Sequence, residues 1–168
     1  VVKQGVSYFT AAGNFGNKSY ESPFVSGSSP DGFNGPAHDF GNPGTEDIYQ
    51  SITVNPGTYT IVLQWDDGLG NELTSTDLDI FLVNDDGSQL FGFNRENIGG
   101  APIEVLPFNV LDTSNTNIMI VNNGGPDPVR MKYIVFRGDI VFNEYFDPNA
   151  STIVGQANSD KAITVGAV

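Results

Sequence analysis

The stretch from Pro56 to Phe93 leaves this chain the fewest ways to fold. Tyr59, Ile61, Leu63 and Trp65 alternate with Thr60, Val62 and Gln64. A period of two with apolar side chains on one side is a strand with one buried face. Asp66-Asp67-Gly68 ends that run, and Leu78-Asp79-Ile80-Phe81-Leu82-Val83 begins the next, with Leu78, Ile80 and Leu82 on one face. Asp85-Asp86-Gly87 then turns the chain into Gln89–Phe93. Asp-Gly suits a tight hairpin, because Gly adopts the positive φ that the turn needs. The expected centre of the molecule is therefore an antiparallel β-sandwich.

The flanking sequence fits that centre. Twenty Gly and ten Pro are scattered rather than repeated, as many short strands joined by turns require. Residues 17–45 are rich in Ser, Gly, Pro and Asn and read as linker and loop, with Tyr20, Phe24, Phe33 and Phe40 pinning the segment over the sandwich. Glu46–Val54 is the expected first strand, with Ile48, Ile52 and Val54 inward. Ile103–Leu111 is a strand interrupted at Pro107, which places it at an edge or a bulge. Asn117–Val121, Lys132–Arg137 and Asp139–Phe146 complete the set, and Gly138 breaks the run between the last two.

Charge narrows the partners. The net charge is −13 with only seven Lys and Arg. Polyphosphate recognition needs a basic face, so nucleic acid is excluded as a partner, and an anionic membrane surface is equally unsuited. The absence of Cys excludes disulfides and thiolate metal sites. No apolar run approaches the ~20 residues of a membrane helix. Val1 and Val168 both lie within apolar, strand-like runs, which reads as a piece cut from a longer protein.

Two resemblances add to this reading. The strand ending in Trp65-Asp66, followed by Asp77-Leu78-Asp79-Ile80 and the Asp86-Gly87 turn, resembles the jelly-roll β-domain that accompanies many secreted subtilisin-like serine proteases. The same pattern occurs in the related pre-peptidase C-terminal and collagen-binding modules. At the N-terminus, Gly5–Gly16 includes Thr10-Ala11-Ala12-Gly13-Asn14, which resembles the subtilase segment whose Asn lies in the oxyanion hole. At the other end, Lys161–Val168 is similar to the strand that follows that segment in subtilases. The resemblance implies a jelly-roll sandwich inserted in a catalytic-domain loop. Residues 1–16 are then a catalytic-domain strand and oxyanion loop, 17–45 linker, 46–150 the inserted sandwich, and 151–168 a catalytic-domain loop and strand. The two end strands are expected to lie side by side and parallel, with the sandwich as their crossover. The implied function is a non-catalytic accessory domain of a secreted subtilisin-like serine endopeptidase. Its implied partners are the rest of the catalytic domain and a protein or peptide substrate. A carbohydrate- or protein-binding sandwich module is the alternative, and a structural spacer stays open.

Five residues invite chemistry. Asn14 is the candidate oxyanion donor in the full-length parent, since a preorganised amide stabilises charge developing on a substrate carbonyl; the plainer alternative is a Gly-Asn turn. Asp66, Asp67, Asp77 and Asp79 lie at the ends of adjoining strands and invite Ca²⁺, which takes oxygen ligands. Against this, Asp in such loops commonly binds backbone N–H groups, and no Asp-x-Asp-x-Asp-Gly loop is present. His38 is the only His and lacks the His-Gly-Thr context of the protease family. No Gly-Thr-Ser-Met-Ala nucleophile segment occurs, so the chain alone is expected to be inactive. Trp65 continues the buried face of its strand and is expected in the core rather than in a ligand-stacking role.

Overall fold

The computed structural model describes residues 4–67, 73–128, 130–146, 153, 157, 159 and 161–166. Eleven strands follow in chain order: β1 (Phe9–Ala11), β2 (Ser19–Ser22), β3 (Gln50–Val54), β4 (Gly57–Trp65), β5 (Asp77–Val83), β6 (Gln89–Phe93), β7 (Ile103–Val110), β8 (Ser114–Gly124), β9 (Met131–Arg137), β10 (Ile140–Phe142) and β11 (Ile163–Val165). The described residues contain no α-helix.

Two antiparallel sheets face each other. One has the order β10-β3-β8-β5-β6 and the other β2-β9-β4-β7. From β3 to β10 the chain passes repeatedly between them, so the fold is an all-β sandwich of jelly-roll type. The alternation of Tyr59, Ile61, Leu63 and Trp65 does what its period requires. All four lie in the core with Leu78, Ile80 and Leu82 from the opposing sheet. Burying apolar area at about 25 cal/mol per Å² is the main force holding the sheets together. Pro107 sits on β7 opposite Thr60, and β7 is an edge strand, where a missing N–H costs no ladder bond. The β5–β6 hairpin closes as expected: Gly87 has φ 81° and its N–H donates to the carbonyl of Asn84.

The segment 17–45 is more structured than its composition suggests. Ser19–Ser22 forms β2 and extends the four-stranded sheet by pairing with β9. Tyr20, Phe24 and Phe40 then enter the main core. Farther on, the chain runs alongside β8, with Ala37 bridged antiparallel to Val121, and carries Phe33 over the outer face of the five-stranded sheet. Gly35 passes so close to β8 that a Cβ there would stand 1.8 Å from the Asn122 carbonyl oxygen, and Asn122 N donates to Pro36 O. This cover buries a second apolar layer of Ala37, Phe81, Val83, Met119 and Val121, with Phe33 edge-on to Phe81 at 4.8 Å. That layer explains why every residue of β5 is buried, on both faces.

The chain ends form a third, separate element. β1 and β11 pair in parallel, with Phe9 opposite Ile163 and Ala11 opposite Val165. Ile163 N donates to Tyr8 O, and Ala12 N to Val165 O. The expected meeting of the ends is therefore observed.

Candidate functional site

Asn14 follows β1 directly. Gly13 before it takes φ 96°, a conformation open to Gly, and so turns the chain sharply out of the strand. Asn14 is exposed. Phe15 then packs against Phe136 with ring centroids 5.2 Å apart, and Lys18 N closes a turn onto Phe15 O. These contacts anchor the loop on the sandwich and leave the Asn14 amide facing solvent.

The four acidic candidates do not form one site. β4 and β5 belong to different sheets, so Asp66–Asp67 and Asp77–Asp79 lie at the two ends of a crossover between sheets and not on a hairpin. Asp66 is exposed. Asp67 is a turn former: it accepts the Thr74 and Ser75 hydroxyls and the N–H groups of Ser75 and Thr76. Burial alone pushes its carboxyl up, but these bonds outweigh burial and hold it below the usual range. Asp77 accepts Asn97 N at 3.0 Å and the Asn123 side-chain amide at 3.4 Å. Among the described residues no group of three or more His, Cys, Asp or Glu is suited to hold a metal.

Asp79 differs from its neighbours. It is 4% exposed, and its Oδ1 is buried without a hydrogen-bond partner. Burial first, then the charges of Asp77, Glu104 and Glu96, push its carboxyl up to about 8. Glu104 on β7 is fully buried, and neither carboxyl oxygen accepts a hydrogen bond; the Asn97 Oδ1 is likewise bare. Burial raises Glu104 to about 7, against the opposing pull of Arg95, whose Nε lies 3.8 Å away. Sequence reasoning missed Glu104 and Asn97. The available signal was Glu104 at an inward position of the run Ile103–Val110, alternating with Leu106 and Phe108.

His38 and Trp65 have structural roles. His38 is fully buried; its Nδ1 accepts Val25 N at 3.1 Å, so Nε2 carries the proton toward the Tyr20 hydroxyl at 2.9 Å. Burial lowers its pKa to about 4 despite the charge of Asp39. A neutral ring engaged at both nitrogens is a packing residue, not a general base. Trp65 is in the core, and its Nε1 donates to the Thr74 hydroxyl at 3.1 Å.

No protein-family model matches the chain, and no curated protein matches it. Among solved structures it is similar to a CBM35 from Cellvibrio japonicus Abf62, at 12% identity and a TM-score of 0.34, over 75% of this chain and 98% of that one. It is also similar to the infectious bursal disease virus VP2 subviral particle, at 14% identity and a TM-score of 0.28, over 80% of this chain and 38% of that one. Likenesses this distant carry no functional argument. The fold stands on its own strand order as an all-β, jelly-roll-type sandwich.

Proposed function

We propose that this chain is a non-catalytic accessory domain of a secreted subtilisin-like serine endopeptidase, held between two strands of the catalytic domain's parallel sheet. The carrying observation is the β1–β11 pair. Phe9, Ala11, Ile163 and Val165 share one face of it, and all four are exposed, Phe9 by 64% and Val165 by 56%. Parallel sheets occur almost only with both faces covered, and an isolated pair of strands is marginal in water. Among the described residues this apolar face is uncovered and the pair has no third strand, which supports membership of a larger sheet. In that sheet the sandwich is the crossover, and Asn14 at the tip of β1 is the oxyanion donor. The sandwich then stands beside the cleft and modulates the access or binding of protein substrates.

The second reading is a sandwich module that binds carbohydrate or protein. A groove of about 190 Å³ lined by Asn17, Ile140, Val141, Phe142 and Phe146 favours it, with Phe142 and Phe146 stacked at 5.4 Å. The outward positions of β4 and β7 (Thr60, Val62, Gln64, Val105, Pro107 and Asn109) offer no aromatic strip for a polymer.

Treatment of the longer polypeptide with a fluorophosphonate, which phosphonylates an activated serine with loss of fluoride, separates the two. Covalent labelling and casein hydrolysis by the longer protein, with neither by the 168-residue chain, are expected. A longer protein that takes no label overturns the protease reading.

A further inference from the structure

Asp79 alternates with Leu78 and Ile80 along β5 and therefore leaves the main core on the side of Phe81. There it lines a cavity of about 110 Å³ between the covering segment and the five-stranded sheet. Asn34 comes from the covering segment, Gln89 from β6, Asn94 from just beyond β6 and Asn123 from β8. Asp79 is buried, and these four carboxamide residues are exposed around it. The Oδ1 of Asp79 receives no donor, and none of the ion pairs among the described residues involves Asp79. A buried polar atom without a partner is rare in a folded protein, and a bound ion is one explanation for it; of the atoms in this state, Asp79 Oδ1 belongs to the residue that lines this cavity.

We propose that this cavity is a Ca²⁺ site, with Asp79 as the anionic ligand and the side-chain carbonyls of Asn34, Gln89, Asn94 and Asn123 as neutral oxygen ligands. Charge decides for a cation. Asp77, Glu96 and Glu104 all act on Asp79 with the same sign, and the chain carries −13 overall. A half-enclosed cavity concentrates that field. A neutral polyol satisfies the carboxamides but does nothing to relieve the repulsion that Asp77, Glu104 and Glu96 exert on an ionised Asp79, whereas a cation does. Ca²⁺ accepts six to eight oxygens in flexible geometry, whereas Mg²⁺ demands a near-ideal octahedron. Ligands carried on several separate elements suit the former. Asn123 already donates its amide to Asp77 Oδ2, which leaves its carbonyl oxygen for the metal. Asp77 is then a positioning residue, and Asp66 and Asp67 stand outside the site. A single carboxylate among carboxamides fits the lack of any cluster of three acidic or His groups among the described residues. It also implies weak binding, with Kd on the order of 10⁻⁴–10⁻³ M.

The test is calorimetric titration of the chelator-treated 168-residue chain with CaCl₂, paired with thermal melts. Saturable heat and a Tm rise of a few degrees are expected. Asp79→Asn should abolish both, and Asn34→Ala, at an exposed residue, should weaken binding several-fold without changing the fold. Affinity should increase from about pH 6 to about pH 9, because the metal competes with the Asp79 proton. No response at about 10 mM Ca²⁺, an equal response to Mg²⁺, or a response that survives both substitutions overturns the proposal. So does a response to a neutral monosaccharide with none to Ca²⁺. Should Asp79→Asn fail to fold, Asn34→Ala and the pH dependence decide.

Discussion

The sandwich and the β1–β11 pair are built from the same kind of alternating sequence and reach opposite ends. In β4, Tyr59, Ile61, Leu63 and Trp65 meet a facing sheet and are at most 5% exposed. In the terminal pair, Phe9, Ile163 and Val165 have no facing sheet among the described residues and are 47–64% exposed. The local pattern specifies a strand in both cases. Among the described residues only the first has a facing sheet to pack on. The sandwich packs two sheets on each other, and the terminal pair is, among the described residues, a separate two-stranded sheet, the feature on which the proposed membership of a larger sheet rests.

The largest expected effect tests the sandwich. Leu63→Ala leaves a cavity in the centre of the core and should cost about 2–5 kcal/mol in a denaturant melt. Phe9→Ala in the same chain should stay within about 0.5 kcal/mol, because no packed neighbour is lost. Comparable losses at the two positions would erase the distinction between the regions.

The covering segment gives the next effect. Gly35→Ala forces a Cβ into the Asn122 carbonyl and should cost about 1–3 kcal/mol, the range for overpacking. Amide exchange should quicken at Ala37 and His38 before it does in β4. A silent substitution would mean that the segment only drapes the sheet.

This segment also shows where sequence reasoning stopped. Its aromatic residues announced a pinned segment, but Ser19–Ser22 has no alternation of its own and becomes a strand only because β9 offers an edge. Asp67 and Asp79 make the same point. Both stand in acidic turn-and-strand sequence, yet one collects donors from Thr74, Ser75 and Thr76 while the Oδ1 of the other is enclosed without any. The separation of β4 and β5 into different sheets decided that, and turn chemistry does not encode it. The alternation of β4 and the Asp-Gly hairpin were legible because both are local.

The smallest expected effect is a pH trend. Asp79 and Glu104 have folded values raised to about 8 and about 7, above unfolded values near 4. Between those limits the folded state holds protons that the unfolded state has lost, so stability falls as pH rises through the window. His38, lowered to about 4, acts oppositely, but only below its ordinary value near 6.5. In chelator, Tm should therefore decline from about pH 6.5 to about pH 8, and Asp79→Asn should flatten the decline. A Tm that rises across this window contradicts the burial of these carboxyls.

The central claim, that β1 and β11 belong to the sheet of a serine endopeptidase with Asn14 at its oxyanion hole, is tested most directly by steady-state kinetics of the longer protein carrying Asn14→Ala. The account predicts a kcat lower by ~10²–10³, a magnitude taken over from subtilisin, with KM little changed, because the donor acts on the transition state. An unchanged kcat, or a longer protein with no peptidase activity to measure, contradicts it and leaves Asn14 a turn residue beside an unexplained parallel pair.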